Sequence, residues 1–246
     1  VPEIEESYTI DEKVNKLNQL LSQNEEVQYL PEYGKRLSLL KTLGYVDKSV
    51  LVTIKGRIAC EFCVHEILMT QMLFENTFKS MEIEAMCGLL SSLVHEGSRK
   101  IKINKSSPEQ IVEQFADSID SNLKESVLNM LYIAKKIDET EKQHLISHTI
   151  TDSPETNDVS YLELFNFELC NVVYLWASGK SFSEIIKETD TQEGNVVRCI
   201  QRLEELLRNL KEASILIGAL TIEKKVEEAL NAIKRDIVFT ASLYTE

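Results

Sequence analysis

The chain carries, from Ser181 to Leu210, the stretch SFSEIIKETDTQEGNVVRCIQRLEELLRNL, which predicts two helices joined by a tight turn. Ser181 with Glu184 three residues later has the form of a capping box, a mark of a helix start. Apolar residues then recur at spacings of four and three, at Val196, Ile200, Leu203, Leu207 and Leu210. This spacing places them on one helix face. A third helix with the same pattern is predicted around Val226, Leu230, Ile233 and Ile237.

The composition extends this helical reading to the whole chain. Among 246 residues there are only 8 Gly and 4 Pro, so helix breakers are rare. Ser107 and Gln110 flank Pro108 in a further capping box, and a long helix is expected from there to about Ile137. The segment from Val50 to Ile54 is the one strand-like piece. We therefore predict an all-α helical bundle with a helix-turn-helix-like unit and at most one short β element.

Charge and cysteine content narrow the class of protein. The formal net charge of -13 repels phosphate at long range, so a free-standing basic nucleic-acid binder is not expected. No apolar run approaches the ~20 residues that a membrane span needs. The acidic start after Val1 does not resemble a signal peptide, and the five cysteines are expected to be reduced thiols of an intracellular protein. A first residue other than Met suggests a piece of something longer.

Sequence motifs bear on two kinds of chemical site, an ATP site and a zinc site. The chain has no Gly-rich phosphate loop of the G-x-x-x-x-G-K-[ST] form, so we expect no ATP site of that kind within it. Cys60 and Cys63, together with His144 and His148, could supply four zinc ligands. The two pairs are some eighty residues apart, unlike the short separation of zinc fingers, and buried or half-buried thiols are the simpler interpretation.

Arg198 and Arg202 are the candidate binding residues of the helix-turn-helix-like unit. They lie one helical turn apart and roughly opposite Ile200, and so are expected to point away from the core. Residues alone leave two readings open: a nucleic-acid contact, or a solvated helix face whose charge is balanced by neighbouring glutamates. Glu96 is predicted to end a helix just before the basic segment 97–107. Without further information, it is interpreted as an ordinary surface carboxylate.

Several blocks of the chain resemble the DSHCT domain, the C-terminal helical bundle of superkiller-type and exosome-associated DExH-box RNA helicases. These blocks are GRIACE (56–61), HEILMT (65–70), VVYLWASG (172–179), VRC with RLEELL (197–199 and 202–207), and RDIVF with ASLY (235–239 and 241–244). The resemblance runs from about Leu30 to the end, and LPEY (30–33) and VRCIQRL (197–203) look closer to the cytoplasmic superkiller branch. Gln71, where the family usually has Glu, and the segment Phe62–Val64 depart from the pattern.

The resemblance implies a division of the chain and a role for each part. Residues 1–29 would be an N-terminal linker or the base of the helicase arch insertion, and residues 30–246 the helical bundle. The bundle would have no catalytic site or cofactor of its own, with ATP and magnesium bound by the RecA domains of the parent helicase. Arg202 and Glu96 match the positions that face single-stranded RNA, with Arg198 a weaker candidate. Superkiller complex subunits and the RNA exosome are the implied partners, in the cytoplasm and away from membranes.

Two alternatives remain at this point. A helix-turn-helix regulator would bind nucleic acid by itself through a basic face around Arg198. A structural protein-interaction bundle would use Arg198 and Arg202 only as solvated surface residues.

Overall fold

A computed structural model describes residues 30–96, 107–146, 160–235 and 238 of the chain, and these residues form helices without a sheet. Short 3-10 turns occur at Tyr161–Leu164 and Ile186–Glu188. The α-helices are α1 (Leu30–Thr42), α2 (Ile54–Ala59), α3 (Glu66–Phe74), α4 (Thr77–Ser80), α5 (Ile83–Val94), α6 (Pro108–Gln114), α7 (Ser121–Gln143), α8 (Cys170–Ala177), α9 (Phe182–Ile185), α10 (Glu193–Leu216) and α11 (Leu220–Ile233). The predicted all-α bundle is confirmed.

Helix α5 is the centre of the bundle. Its residues from Ala85 to Val94 are all buried, as expected for a helix that is apolar on every side. It packs against α7, α8, α10 and α11. Gly88 permits the close approach of α8, because a Cβ at this position would lie 2.8 Å from the carbonyl oxygen of Cys170. The close packing of α8 on α5 therefore depends on the missing side chain at this position.

The capping signals read from the sequence are present. At the start of α6, the N–H of Ser107 donates to the side chain of Gln110 at 2.9 Å, and the Ser107 hydroxyl accepts from the Gln110 N–H. At the start of α9, the Ser181 N–H donates to Glu184 at 2.8 Å. Each cap satisfies N–H groups that a helix start leaves without partners.

The prediction of one continuous helix from Ser107 to about Ile137 is wrong, because α6 ends at Gln114 and α7 begins at Ser121. Asp120 caps α7 by accepting from the Asn122 N–H at 2.9 Å. The break is held by tertiary contacts: the carbonyl of Ser118 accepts from the N–H of Asn171 at 3.1 Å, and Phe115 packs against Phe167. These partners are distant in sequence, so local periodicity could not indicate the break.

The strand-like segment forms a single antiparallel bridge between Val46 and Val52, and the chain then turns into α2. Thr53 caps α2 by accepting from the Gly56 N–H, while its hydroxyl donates to the carbonyl of Gly44 at 2.8 Å. This fits the expectation of at most one short β element.

Some predictions lie outside the described residues: those for residues 1–29, for the basic segment apart from Ser107, for His148, and for Ile237 on the last helix. Among the described helices, none combines the length and apolar character that crossing a membrane requires.

Candidate nucleic-acid interface

Helix α10 presents an apolar face to the core and an arginine-bearing face to the outside. Val196, Ile200 and Leu203 are fully buried, whereas Arg198 and Arg202 are exposed. This is the arrangement expected from the four-and-three spacing. The outward position predicted for both arginines is therefore found in the structure.

The end of α5 brings Glu96 to the same surface. His95 terminates α5, with its N–H donating to the carbonyl of Ser91 at 3.0 Å, and Glu96 follows directly. One carboxylate oxygen of Glu96 (Oε2) lies 2.6 Å from Nη1 of Arg202. The two residues that the resemblance matches to RNA-facing positions thus form an ion pair between two elements.

The three predicted site residues line one surface cleft with a volume of about 130 Å³. We call it the α5–α10 cleft; its lining residues are Val94, His95, Glu96, Asn195, Arg198, Cys199 and Arg202. Within it, Arg198 donates from Nη2 to the side-chain oxygen of Asn195 at 2.6 Å. The cleft therefore carries two guanidinium groups, each bonded to an oxygen acceptor at its edge.

The Glu96–Arg202 pair is open to solvent. The side chain of Glu96 is 76% exposed and that of Arg202 is 43% exposed. An ion pair at such exposure contributes about 0–1 kcal/mol to stability. Both groups can consequently rearrange, or take additional hydrogen-bond partners, at little cost to the fold.

His95 lies behind the pair and is almost fully enclosed, with 2% of its side chain exposed. Burial lowers the pKa of His95, an effect that the positive charge of Arg202 reinforces and Glu168 opposes. Its Nε2 lies 3.7 Å from Glu168 Oε2, beyond hydrogen-bonding distance. Glu168 in turn accepts from the hydroxyl of Thr191 at 3.3 Å, in the turn before α10. These contacts connect the end of α5 with the start of α10.

The thiols show no arrangement typical of a metal centre. Cys60 and Cys63 are exposed, so the prediction of buried or half-buried thiols is wrong for this pair. Cys63 donates to the side chain of Asn209. His144 contacts the hydroxyl of Thr42 at 3.0 Å. Within residues 30–96, 107–146 and 160–235, no group of three or more His, Cys, Asp or Glu side chains could hold a metal ion. The fourth residue of the zinc hypothesis, His148, lies outside these ranges.

Sequence reasoning missed three residues around the cleft: Asn195, His95 and Glu168. Asn195 precedes Arg198 by three positions, a spacing at which helical side chains meet, so this contact could have been found. His95 and Glu168 depend on how α5, α10 and the segment before α8 pack. No local pattern indicates that packing.

The helix-turn-helix-like unit is less complete than the sequence suggested. Its first helix, α9, spans only Phe182–Ile185 and continues as the 3-10 turn Ile186–Glu188. In DNA-binding units of this type, the N-terminal residues of the second helix contact base edges. Here that helix begins with Glu193, an acidic residue. This start is unfavourable for a DNA major groove.

Fold and cleft together define an all-α domain that has a polar, arginine-bearing surface cleft between its central helix and its longest described helix. The family model of the DSHCT (NUC185) domain matches residues 49–240. The chain therefore belongs to the DSHCT domain family, as the sequence blocks indicated.

Similar proteins point to the same family. The chain is 36% identical to "Superkiller complex protein 2" of Mus musculus over 243 residues, which is 99% of this chain and 18% of that protein. It is 35% identical to "Antiviral helicase SKI2" of Saccharomyces cerevisiae, covering 97% of this chain and 17% of that protein. It is 34% identical to "Exosome RNA helicase MTR4" of Homo sapiens, covering 99% of this chain and 22% of that protein. The chain thus spans less than a quarter of the length of these relatives.

Proposed function

We propose that the chain is the non-catalytic C-terminal bundle of an ATP-dependent 3′–5′ RNA helicase and guides single-stranded RNA through the helicase channel. The observation that carries this proposal is the convergence of Glu96, Arg198 and Arg202 on the α5–α10 cleft. Relatives that are named helicases support the helicase setting. In this role Arg202 stacks on or hydrogen-bonds a base, and Glu96 accepts from a base edge.

The charge of the chain fits a division of labour. A body with net charge -13 repels phosphate at long range, so we do not expect it to hold an RNA backbone over many phosphates by itself. The RecA domains of the parent helicase would bind the phosphates, together with ATP and magnesium, and the bundle packs against them. The cleft then needs to contact only one or two bases as the strand passes. Residues 1–29 would form the base of the arch insertion in this arrangement.

The names of the relatives support a wider setting for this proposal. "Superkiller complex protein 2" and "Exosome RNA helicase MTR4" name a superkiller complex and an exosome respectively. We infer that the parent helicase feeds RNA to the exosome together with superkiller complex subunits, in the cytoplasm. The slightly higher identity to the superkiller relatives supports that branch.

The test is an unwinding assay with Arg202→Ala in a full-length helicase that contains this chain. We expect slower unwinding of a duplex with a 3′ single-stranded tail, because the guanidinium no longer contacts the passing strand. ATP hydrolysis without RNA should be unchanged. Unwinding rates and RNA crosslinking yields are the two measurements.

Arg208→Ala is the matched control. Arg208 lies on the same helix and pairs with Glu204 at 2.6 Å, but does not line the α5–α10 cleft. It should unwind RNA at the wild-type rate. If the Arg202→Ala helicase unwinds and crosslinks RNA like the wild type, Arg202 is only a solvent-exposed surface residue and the proposal is wrong.

A further inference from the structure

We propose that the exposed apolar face of α1 is a docking surface for residues 10–21 of the same chain, which pack against it as an antiparallel helical hairpin. The partner is thus a segment that lies outside the described residues and precedes α1 in the chain. Docking gives α1 the burial that it lacks and sets the direction in which the residues before the segment leave the bundle. It does not depend on the RNA contacts proposed for the α5–α10 cleft.

Helix α1 contributes little to the packing of the described part of the chain. It has 13 residues, and Leu39 is the one fully buried side chain among residues 31–42. None of the side chains in that range belongs to the main hydrophobic core of the described residues. The side chains of Lys35 and Thr42 contact residues 144–145, just after α7. A helix of this length is marginal by itself in water, so α1 needs a further packing partner.

The apolar face of α1 points away from those contacts. Tyr33, Leu37 and Leu40 recur at spacings of four and three, which places them on one side of the helix, roughly opposite Lys35 and Thr42. Tyr33 is 59% exposed, and the two leucines are partly exposed. We call these three residues the α1 stripe. Apolar residues at this spacing are typical of a face that packs against another helix.

The segment before α1 carries a complementary pattern. Residues 9–12, TIDE, have the form of a capping box and predict a helix start. Val14, Leu17 and Leu21 then recur at spacings of three and four, the reverse of the order in the α1 stripe. Two helices that run in opposite directions therefore bring the two sets together in pairs, with Leu17 opposite Leu37 at the centre.

Chain length and charge favour the antiparallel arrangement. Residues 22–29 separate the segment from α1, and a connection of this length commonly joins neighbouring antiparallel helices. Asp11 then comes beside the end of α1, where Lys41 is exposed. A parallel arrangement would require residues 22–29 to run back along the whole of α1, and it would place Asp11 beside Glu32.

The experiment is amide hydrogen exchange of this chain, followed by mass spectrometry. Amides of residues 13–22 should exchange at least about tenfold more slowly than in an unstructured peptide of the same sequence, because the segment must leave the α1 stripe before they exchange. This protection should not change with protein concentration, since the partner is in the same chain. Exchange at the unstructured rate overturns the inference. Protection that grows with concentration does so too, because it would assign the α1 stripe to a second copy.

Variants assign the protection to the α1 stripe. Tyr33→Asp places a charge in the stripe near the start of α1, where an acidic residue favours the helix itself, and should bring the segment to unstructured rates. Leu17→Asp should do the same and should also speed exchange in residues 36–42, which lose their cover. Protection of the segment that survives Tyr33→Asp, or exchange of residues 36–42 that is unchanged in Leu17→Asp, overturns the inference.

Leu220→Asp is the matched control for these variants. Leu220 is also an apolar residue at the start of a helix, α11, and is 66% exposed, but it is not part of the α1 stripe. Its variant should keep the wild-type exchange of residues 13–22. Loss of that protection in Leu220→Asp would show that any added surface charge releases the segment, and would overturn the inference.

Discussion

Arg202 shows what could be predicted at the scale of single residues and what could not. Its outward position follows from the apolar spacing around Ile200 and Leu203, which is a local property. Its contact with Glu96 joins the end of α5 to the middle of α10. No local sequence pattern predicts this contact. Glu96 was singled out only through the family resemblance, since an exposed carboxylate after a helix has no distinguishing mark.

His95 gives a prediction about pH. In the unfolded chain its pKa is about 6.5, and burial lowers its pKa in the folded protein. Between these two values the unfolded state binds more protons, so the contribution of His95 to stability is complete above about pH 6.5 and falls as the pH decreases. The free energy of unfolding, from urea denaturation of this chain, should therefore decrease from pH 7.5 to pH 5.5.

The variant His95→Gln isolates this contribution, because other groups also titrate in the same range. Its stability should fall less than that of the wild type over the same pH interval. An equal or larger decrease in the variant would show that the buried imidazole is not the group responsible.

At the scale of elements, the helices with clear signals were predicted and the break between α6 and α7 was not. Ser107 and Ser181 act as caps through residues three positions away, so the sequence contains the whole motif. The break depends on the contact of Ser118 with Asn171 and of Phe115 with Phe167. The spacing of apolar residues thus predicts well where helices lie, whereas tertiary contacts determine where a long helical segment is interrupted.

The packing of α5 on α8 yields a prediction at this scale. In Gly88→Ala the added methyl group would meet the carbonyl oxygen of Cys170 at 2.8 Å and Leu123 at 3.1 Å. Overpacking of this kind typically costs about 1–3 kcal/mol, which exceeds the ~1 kcal/mol that Ala gains over Gly in a helix. Urea denaturation should therefore show lower stability.

Gly194→Ala is the control for that substitution. Gly194 lies in the first turn of α10, where an added Cβ meets nothing within 4 Å, so stability should be unchanged or higher. An increase in stability for Gly88→Ala as large as that for Gly194→Ala would show that α5 and α8 do not approach as closely as described.

At the scale of the whole molecule, α5 connects the fold to the cleft. Its buried length positions Glu96 at one end, and α10 packs along it with Arg198 and Arg202 turned outward. The all-α class followed from composition and spacing, whereas the cleft required the packing of two helices distant in sequence. In the proposed function, an acidic bundle with a small arginine-bearing cleft would contact a strand that other domains hold.

The most direct test of that account is photo-crosslinking of a full-length helicase containing this chain to RNA with 4-thiouridine in its single-stranded tail. Crosslinked residues would be located by mass spectrometry of the digested protein. The account predicts crosslinks within the α5–α10 cleft, at peptides that carry Glu96 or the Arg198–Arg202 turn. Crosslinks found only on other surfaces of the chain or on other domains would contradict it.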